Sequence, residues 1–400
     1  MQLQQNTWKD RLFITLIVMM LAGLFVSRAL LSVSSILLLL VFIVQAKERQ
    51  DWKRILLGAS LIILPVLISG LWSNNLAEWS RTLEVKLPLI TIGLAIATAR
   101  ICLRAWRWIT ATLLILTTLG TFWSTWQYLQ HTNEILQNYL KAKVMPTPLN
   151  DDHIRFSWLI VLVIILSLKL IKGDTIKLVR YSAFVMCAWL VIYLHLLAAK
   201  TGLVCLYAAT IMFIAHYIFS RKKWLQGLAL IAFMIFAPVI AYVSMPSFRN
   251  RLQYVQYDFS NYSKGNFIPG LSDGARVLSL KAGWAITNQH PYTGTGFGDM
   301  KPAISKWHLQ HYANTFEYER FLPLNEWLLY GAGSGWPGIL FFTLGLIVLM
   351  RPVWKQGLTG RTGIVVLLIP LITDDTLESQ FGVVIFIFVL MWLWLQKKVN

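Results

Sequence analysis

Apolar runs of about 20 residues recur along this chain, each long enough to cross a bilayer core of roughly 30 Å. A fold that had to bury so many of them against water-soluble surfaces has no place to put them, whereas a bilayer accepts each one as a self-satisfied helix. The runs predict transmembrane helices over 11–26, 29–45, 54–72, 84–99, 107–129, 154–171, 180–198, 201–219, 223–243, 335–350, 362–373 and 379–396, twelve in all. The fourth and eleventh are short and contain Pro88 and Pro370. Lys9 and Arg11 precede the first run as they would in a signal peptide, but no small-residue cleavage site follows it, so it reads as a retained helix. The fold class expected is an all-α polytopic membrane protein.

Orientation follows from the basic residues. The segments AKERQDWKR, RICLRAWR, KLIKGDTIKLVR, SRKKW and RPVWKQGLTGR, with Lys9, Arg11, Lys397 and Lys398, fall on one side of a twelve-span arrangement and hold 21 of the 36 Lys and Arg residues. The positive-inside rule then puts both termini in the cytoplasm. This accounts for most of the net charge of +18, which would otherwise suggest nucleic acid. Here the excess is topological and faces lipid headgroups, so membrane lipids and not nucleic acid are the expected partners. The odd trio Cys102, Cys187 and Cys205 sits at different depths of predicted spans, which argues against a disulfide framework and against a metal site.

The chain divides into 1–243, nine spans with a short outer helix near 131–152; 244–334, a large outer loop; and 335–400, the last three spans. In the first part Ile135, Leu136, Tyr139 and Leu140 supply the apolar side of an interfacial helix. The outer loop carries NQHPYTGTGFGDM at 288–300, whose glycines suggest a nucleotide-binding turn. The sixth position of that fingerprint is Asp299, and the loop faces away from cytoplasmic nucleotides, so a tight turn in which Gly294, Gly296 and Gly298 provide positive φ is the better reading. Before it, Ser272 or Asp273 can cap a helix with Arg276 in its first turn, where a cation opposes the macrodipole and calls for an anionic partner.

Arg276, the HPYTGTGFGDM turn and PLNEWLLYGAGSGWPGILFF together resemble the O-antigen ligase and polymerase superfamily, and the span layout resembles the ligases. The resemblance implies a metal-independent, cofactor-free GT-C-type glycosyltransferase of the bacterial inner membrane, acting on its periplasmic side. Its donor would be a glycan on undecaprenyl diphosphate, and its acceptor a sugar hydroxyl of a lipid A-core or similar glycan, with inversion at the anomeric carbon. A polymerase of the same superfamily is the alternative. A carrier or flippase fits less well, since internal repeats and charges within many spans are lacking.

Carried over by position, the family's outer-loop arginine is Arg276, and its second arginine falls on Lys200 in LAAKTGLV; both are expected to grip the diphosphate. Lysine keeps the charge but not the bidentate fork. The family histidine slot holds Leu324, which cannot take a proton. Glu326 is the leading replacement base, followed by Glu319, Glu317 and His311, with a pairing of Glu326 to Arg320 or a lysine as the structural alternative. Asn325 and the acids Asp374, Asp375 and Glu378 are expected to support the site by orienting Lys200 or binding acceptor hydroxyls, unless they are ordinary loop acids. Arg249 and Arg251 read as lipid-facing anchors that compete for the phosphate, and Trp284, Trp307, Trp327 and Trp336 as an interfacial belt.

Overall fold

The structure, a computed structural model, describes residues 8–45, 52–99, 102–141, 143–172, 176–264, 269 and 271–398. The described residues form helices and no strands: α1 Trp8–Val26, α2 Arg28–Gln45, α3 Trp52–Ser69, α4 Leu76–Lys86, α5 Pro88–Thr98, α6 Leu103–Gln130, α7 Thr132–Tyr139, α8 His153–Lys172 and α9 Lys177–Leu197. There follow α10 Lys200–Ala215, α11 Trp224–Ser244, α12 Pro246–Ser263, α13 Ser272–Gln289, α14 Met300–His311, α15 Glu326–Trp354, α16 Leu358–Thr373 and α17 Gln380–Lys398. Among them, seven are long and apolar enough to cross a membrane: α3, α6, α8, α9, α10 with its continuation to Ser220, α11 and α15. Apolar stretches of α2, α16 and α17 are shorter. Of the basic residues that set the expected orientation, Lys47, Arg49 and Arg100, and the side chains of Lys9, Lys397 and Lys398, lie outside what is described.

Two expected elements differ. Residues 84–99 are not one span but the end of α4, a break at Leu87 and the separate α5. Pro88 has no N–H for the carbonyl of Glu84, so the helix restarts with the proline at its first position. The resulting 11-residue α5 rises only about 16 Å, half of a bilayer core. It is buried along nearly its whole length, from Leu89 through Thr98, against α2, α3 and α17. Next, the span expected at 335–350 is the second part of a longer α15, whose helical dihedrals fail at Ser334 and Gly335. The segment 244–334 holds α12, α13, which contains the helix expected after Ser272 or Asp273, α14 and the first turns of α15.

Close packing holds α15 to α3: a Cβ at Gly345 would meet Ile62 Cγ1 at 2.6 Å, a small-residue contact of the kind that lets membrane helices approach. The expected outer helix is α7, and its apolar side packs on protein. Tyr139 is fully buried and its hydroxyl donates to the carbonyl of Leu197 at 2.9 Å, while Leu140 is exposed.

The turn at 290–299 is a staple. Thr295 and Gly296 donate backbone hydrogen bonds to Ala332 and Gly333, and Trp336 donates to Pro291, so the turn pairs with the broken part of α15. Asp299 accepts from the amides of Asn74 and Asn75 at 2.7 and 3.1 Å, fastening the same turn to the start of α4. Gly294 has φ +62°, and a Cβ there would lie 2.3 Å from the Ser334 amide nitrogen. Only glycine serves at such a crossing.

Candidate active site

The site is assembled at one end of the bundle, where α8 and α10 begin, α9 and α16 end, and α12 packs against α13. On α12 the residues Phe248, Arg251, Tyr254 and Asp258, spaced by three or four, form a buried stripe on an otherwise polar helix. Asp258 Oδ2 accepts the backbone amide of Asp273 at 2.7 Å, and the Tyr254 hydroxyl accepts that of Ser272 at 2.8 Å. These bonds satisfy two orphan donors at the start of α13, whose own N-cap Leu271 makes no side-chain cap, and so fix where Asp273 and Arg276 point.

They border a cavity of about 440 Å³ that also receives Lys200, Arg251, His153 and Leu324. Val204, Leu280, Ile369 and Ile372 make its apolar part, and because Val204 and Ile372 are 52% and 54% exposed, that part opens on the flank of the bundle. The first turn of α10, Lys200 and Thr201 after an Ala199 that supplies no side-chain cap, presents a helix N-terminus to the same space. Such an end favours an anion.

The cations differ in how they are held. Lys200 Nζ lies 2.5 and 2.6 Å from the carboxylate oxygens of Asp273. Arg276 donates from Nη1 to the carbonyl of Thr373 at 3.1 Å. Arg251 is only 8% exposed, its guanidinium lies 5.4 Å from the Tyr254 ring centroid, and its Nε and Nη1 have no hydrogen-bond partner. Burial pulls its pKa below the usual value, against the neighbouring Asp273 carboxylate. Three cations against one carboxylate leave the cavity lining with an excess of two positive charges. A buried guanidinium with unfilled donors is costly unless a ligand completes it.

Arg276, Lys200 and Leu324 therefore share one space, as their motif positions suggested. Arg251, read from sequence as a lipid anchor, points inward instead, while Arg249 is exposed. The inward stripe of α12 was the signal available for it. His153 drew no attention in the sequence because it stands alone before an apolar run.

The other expected residues are placed elsewhere. Glu326 is fully buried, accepts the Leu377 amide at 2.5 Å through Oε1, and leaves Oε2 unpartnered. Its surroundings are Lys86, which pairs with Glu378 at 2.5 Å, and Tyr330, whose ring lies 5.4 Å from the Lys86 ammonium. It does not line the cavity. Lys86 is the nearby lysine, but its ion pair is with Glu378 and not with Glu326, and Arg320 bonds Ser305 and Thr315.

Asn325 caps α15 through Leu328 and reaches the Ile372 carbonyl at 3.0 Å, tying α15 to α16. Asp375 pairs with Arg155 at 3.2 Å, and Asp374 is buried with one oxygen on the Asp375 amide and the other unpartnered. Burial, with Asp374 beside it, pushes the Asp375 carboxyl well above the usual carboxylate range. Lys200 takes Asp273 and not these acids as its partner. Glu319 accepts the Phe316 amide within its own turn, Glu317 is exposed, and His311 stacks on Trp307 at 4.7 Å. None of these lines the cavity. Trp284 meets Trp336 edge-on at 5.8 Å, and Trp327 donates to Thr343.

Among the described residues no group of His, Cys, Asp and Glu is arranged to hold a metal ion. Residues 183–343 match a protein family described as O-antigen ligase. No curated protein matches the chain.

Proposed function

We propose, for a chain that its residues 183–343 place in the O-antigen ligase and polymerase superfamily, that it is an O-antigen ligase-like glycosyltransferase. It moves a glycan from undecaprenyl diphosphate to a sugar hydroxyl of a lipid A-core or similar acceptor. The reading includes a twelve-span GT-C-type architecture in the inner membrane, both termini in the cytoplasm, and the cavity on the periplasmic side.

The observation that carries it is the joining of Lys200, Arg251 and Arg276 in a cavity whose other flank, at Val204 and Ile372, opens laterally. A polyprenyl diphosphate has that division of character: a dianionic head for the cations and a hydrocarbon tail for the opening. Charge interactions strengthen in a site screened from water. In an inverting displacement the acceptor oxygen bonds to the anomeric carbon as the bond from that carbon to the diphosphate oxygen breaks. Negative charge then grows on the leaving diphosphate, where fixed guanidinium groups stabilise the transition state more than the ground state. Asn325, by tying α15 to α16, and Asp273, by holding Lys200, keep that geometry.

The test is lipopolysaccharide analysis in a deletion strain of the native host, by gel and by mass of the lipid-linked glycan. Free core with accumulated full-length polymer on undecaprenyl diphosphate is the expected outcome. Core bearing single repeat units would mean a polymerase, and unchanged lipopolysaccharide would remove the lipid A-core acceptor from the reading.

A further inference from the structure

Transfer to a hydroxyl needs a group that removes its proton, and this inference rests on the transferase reading above. Among the side chains lining the cavity, two carry a carboxylate or an imidazole that can accept a proton, Asp273 and His153. Asp273 is occupied, with its two oxygens 2.5 and 2.6 Å from the Lys200 ammonium. The His153 ring makes no hydrogen bond among the described residues, although the residue itself is firmly placed. It opens α8, its amide donates to the Asp151 carbonyl at 2.9 Å, and Asp152 beside it accepts both the Arg155 amide at 3.0 Å and Arg155 Nη1 at 2.8 Å. Through Nη2 the same arginine grips the Asp375 carbonyl at 2.7 Å, so the start of α8 is clamped to the segment that follows α16. On another wall Leu324 offers no proton acceptor.

We propose that His153 is the general base. A ring nitrogen takes the acceptor proton as the acceptor oxygen bonds to the anomeric carbon. The anomeric carbon–oxygen bond breaks, and its electron pair leaves on the diphosphate, held by Arg251 and Arg276. The charged groups facing the imidazole are Asp152 from its own turn, Arg251 from α12, Arg276 from α13 and Asp374 from the turn after α16, with Lys200 and Asp273 bordering the same space. A histidine placed among donor-binding cations is the arrangement a general base requires: within reach of the acceptor, next to the leaving group, and not committed to another bond.

The test compares His153→Gln and Arg251→Ala with the native full-length chain in nanodiscs. Binding is read with undecaprenyl diphosphate itself, and turnover with lipid-linked glycan extracted from the deletion strain and purified lipid A-core. His153→Gln is expected to bind undecaprenyl diphosphate within about threefold of native while turnover falls about 10²- to 10⁴-fold. The acidic limb of the native pH–rate profile should vanish from its residual activity. Arg251→Ala should lose binding. Turnover of His153→Gln within a few-fold of native, with Arg251→Ala inactive, overturns the base and leaves the transferase reading standing; both variants at native turnover overturn that reading itself.

Discussion

The Lys200 ammonium and the Asp273 carboxylate meet with both oxygens at 2.5 and 2.6 Å, although 73 residues separate them and they sit at the starts of different helices. The pair sets one cation at the cavity wall while leaving Arg251 and Arg276 to supply its excess charge.

Lys200→Arg is expected to keep transfer activity, since a guanidinium can take both oxygens of Asp273 and still present donors to the cavity. Lys200→Ala should lower turnover by at least about tenfold by leaving Asp273 as an unpaired anion facing the diphosphate. Turnover with extracted lipid-linked donor measures both. Full loss in Lys200→Arg would show that the site depends on the compact ammonium and not on charge.

Removing Arg251 is expected to separate stability from function. Arg251→Met takes a buried guanidinium with unfilled donors out of the unliganded protein, which should stabilise it by about 1–3 kcal/mol in a detergent melt. Turnover should fall about 10²-fold or more. A variant less stable than native would show that Arg251 has a structural partner.

Glu326 provides a contrast with His153. Because Glu326 lies with Lys86, Glu378 and Tyr330 and not on the cavity, Glu326→Gln should retain turnover within about threefold, where loss of a general base costs about 10²-fold or more. Glu326→Ala should destabilise the fold by about 3–5 kcal/mol, as breaking a buried charge cluster does. Loss of turnover in a stably folded Glu326→Gln would restore the sequence expectation that it is the base.

His308 on α14 is fully buried with neither ring nitrogen hydrogen-bonded, and burial, with Arg320 nearby, lowers its pKa from 6.5. The unfolded chain therefore binds this proton more readily than the folded one. The stability it contributes is present above the unfolded value and is lost as pH falls through the folded one, with a slope of at most about 1.4 kcal/mol per pH unit. Melting of the native protein from pH 7.5 down to 5 should show this decline, and His308→Gln should flatten it. Parallel curves for the two proteins would refute the assignment.

Gly294→Ala places a Cβ 2.3 Å from the Ser334 amide nitrogen at a φ of +62°. The strain alone is worth about 1–3 kcal/mol, and relief requires parting the turn from α15. A lower melting temperature with faster proteolysis within 288–300 is expected. An unchanged melt would mean that the turn tolerates rearrangement.

Much of this molecule was legible in the sequence because it depends on local chemistry. Hydropathy over a 20-residue window reports the solvent each helix needs, and that alone predicts an all-helical membrane protein and places most apolar helices within a few residues. The glycine turn was readable because positive φ is a property of single residues, taken here by Gly294 and Gly296 but not by Gly298, and motif spelling singled out Arg276 and Lys200, which border one cavity. Where local rules compete, boundaries moved: Pro88 splits an apolar run that hydropathy joins, and the helix of α15 begins at Glu326, well before its membrane-like part.

Only the tertiary structure decided what meets at the cavity. His153, Lys200, Arg251, Arg276 and Leu324 come from five places in the chain. Hydropathy gives Arg251 the same score whether it snorkels toward lipid or turns inward beside Tyr254, and gives Glu326 the same score on a cavity wall or beside Lys86. The orientation of a side chain about its helix, and the choice of which helix ends converge, are set by packing between segments far apart in sequence, and a window of neighbouring residues carries no information about either.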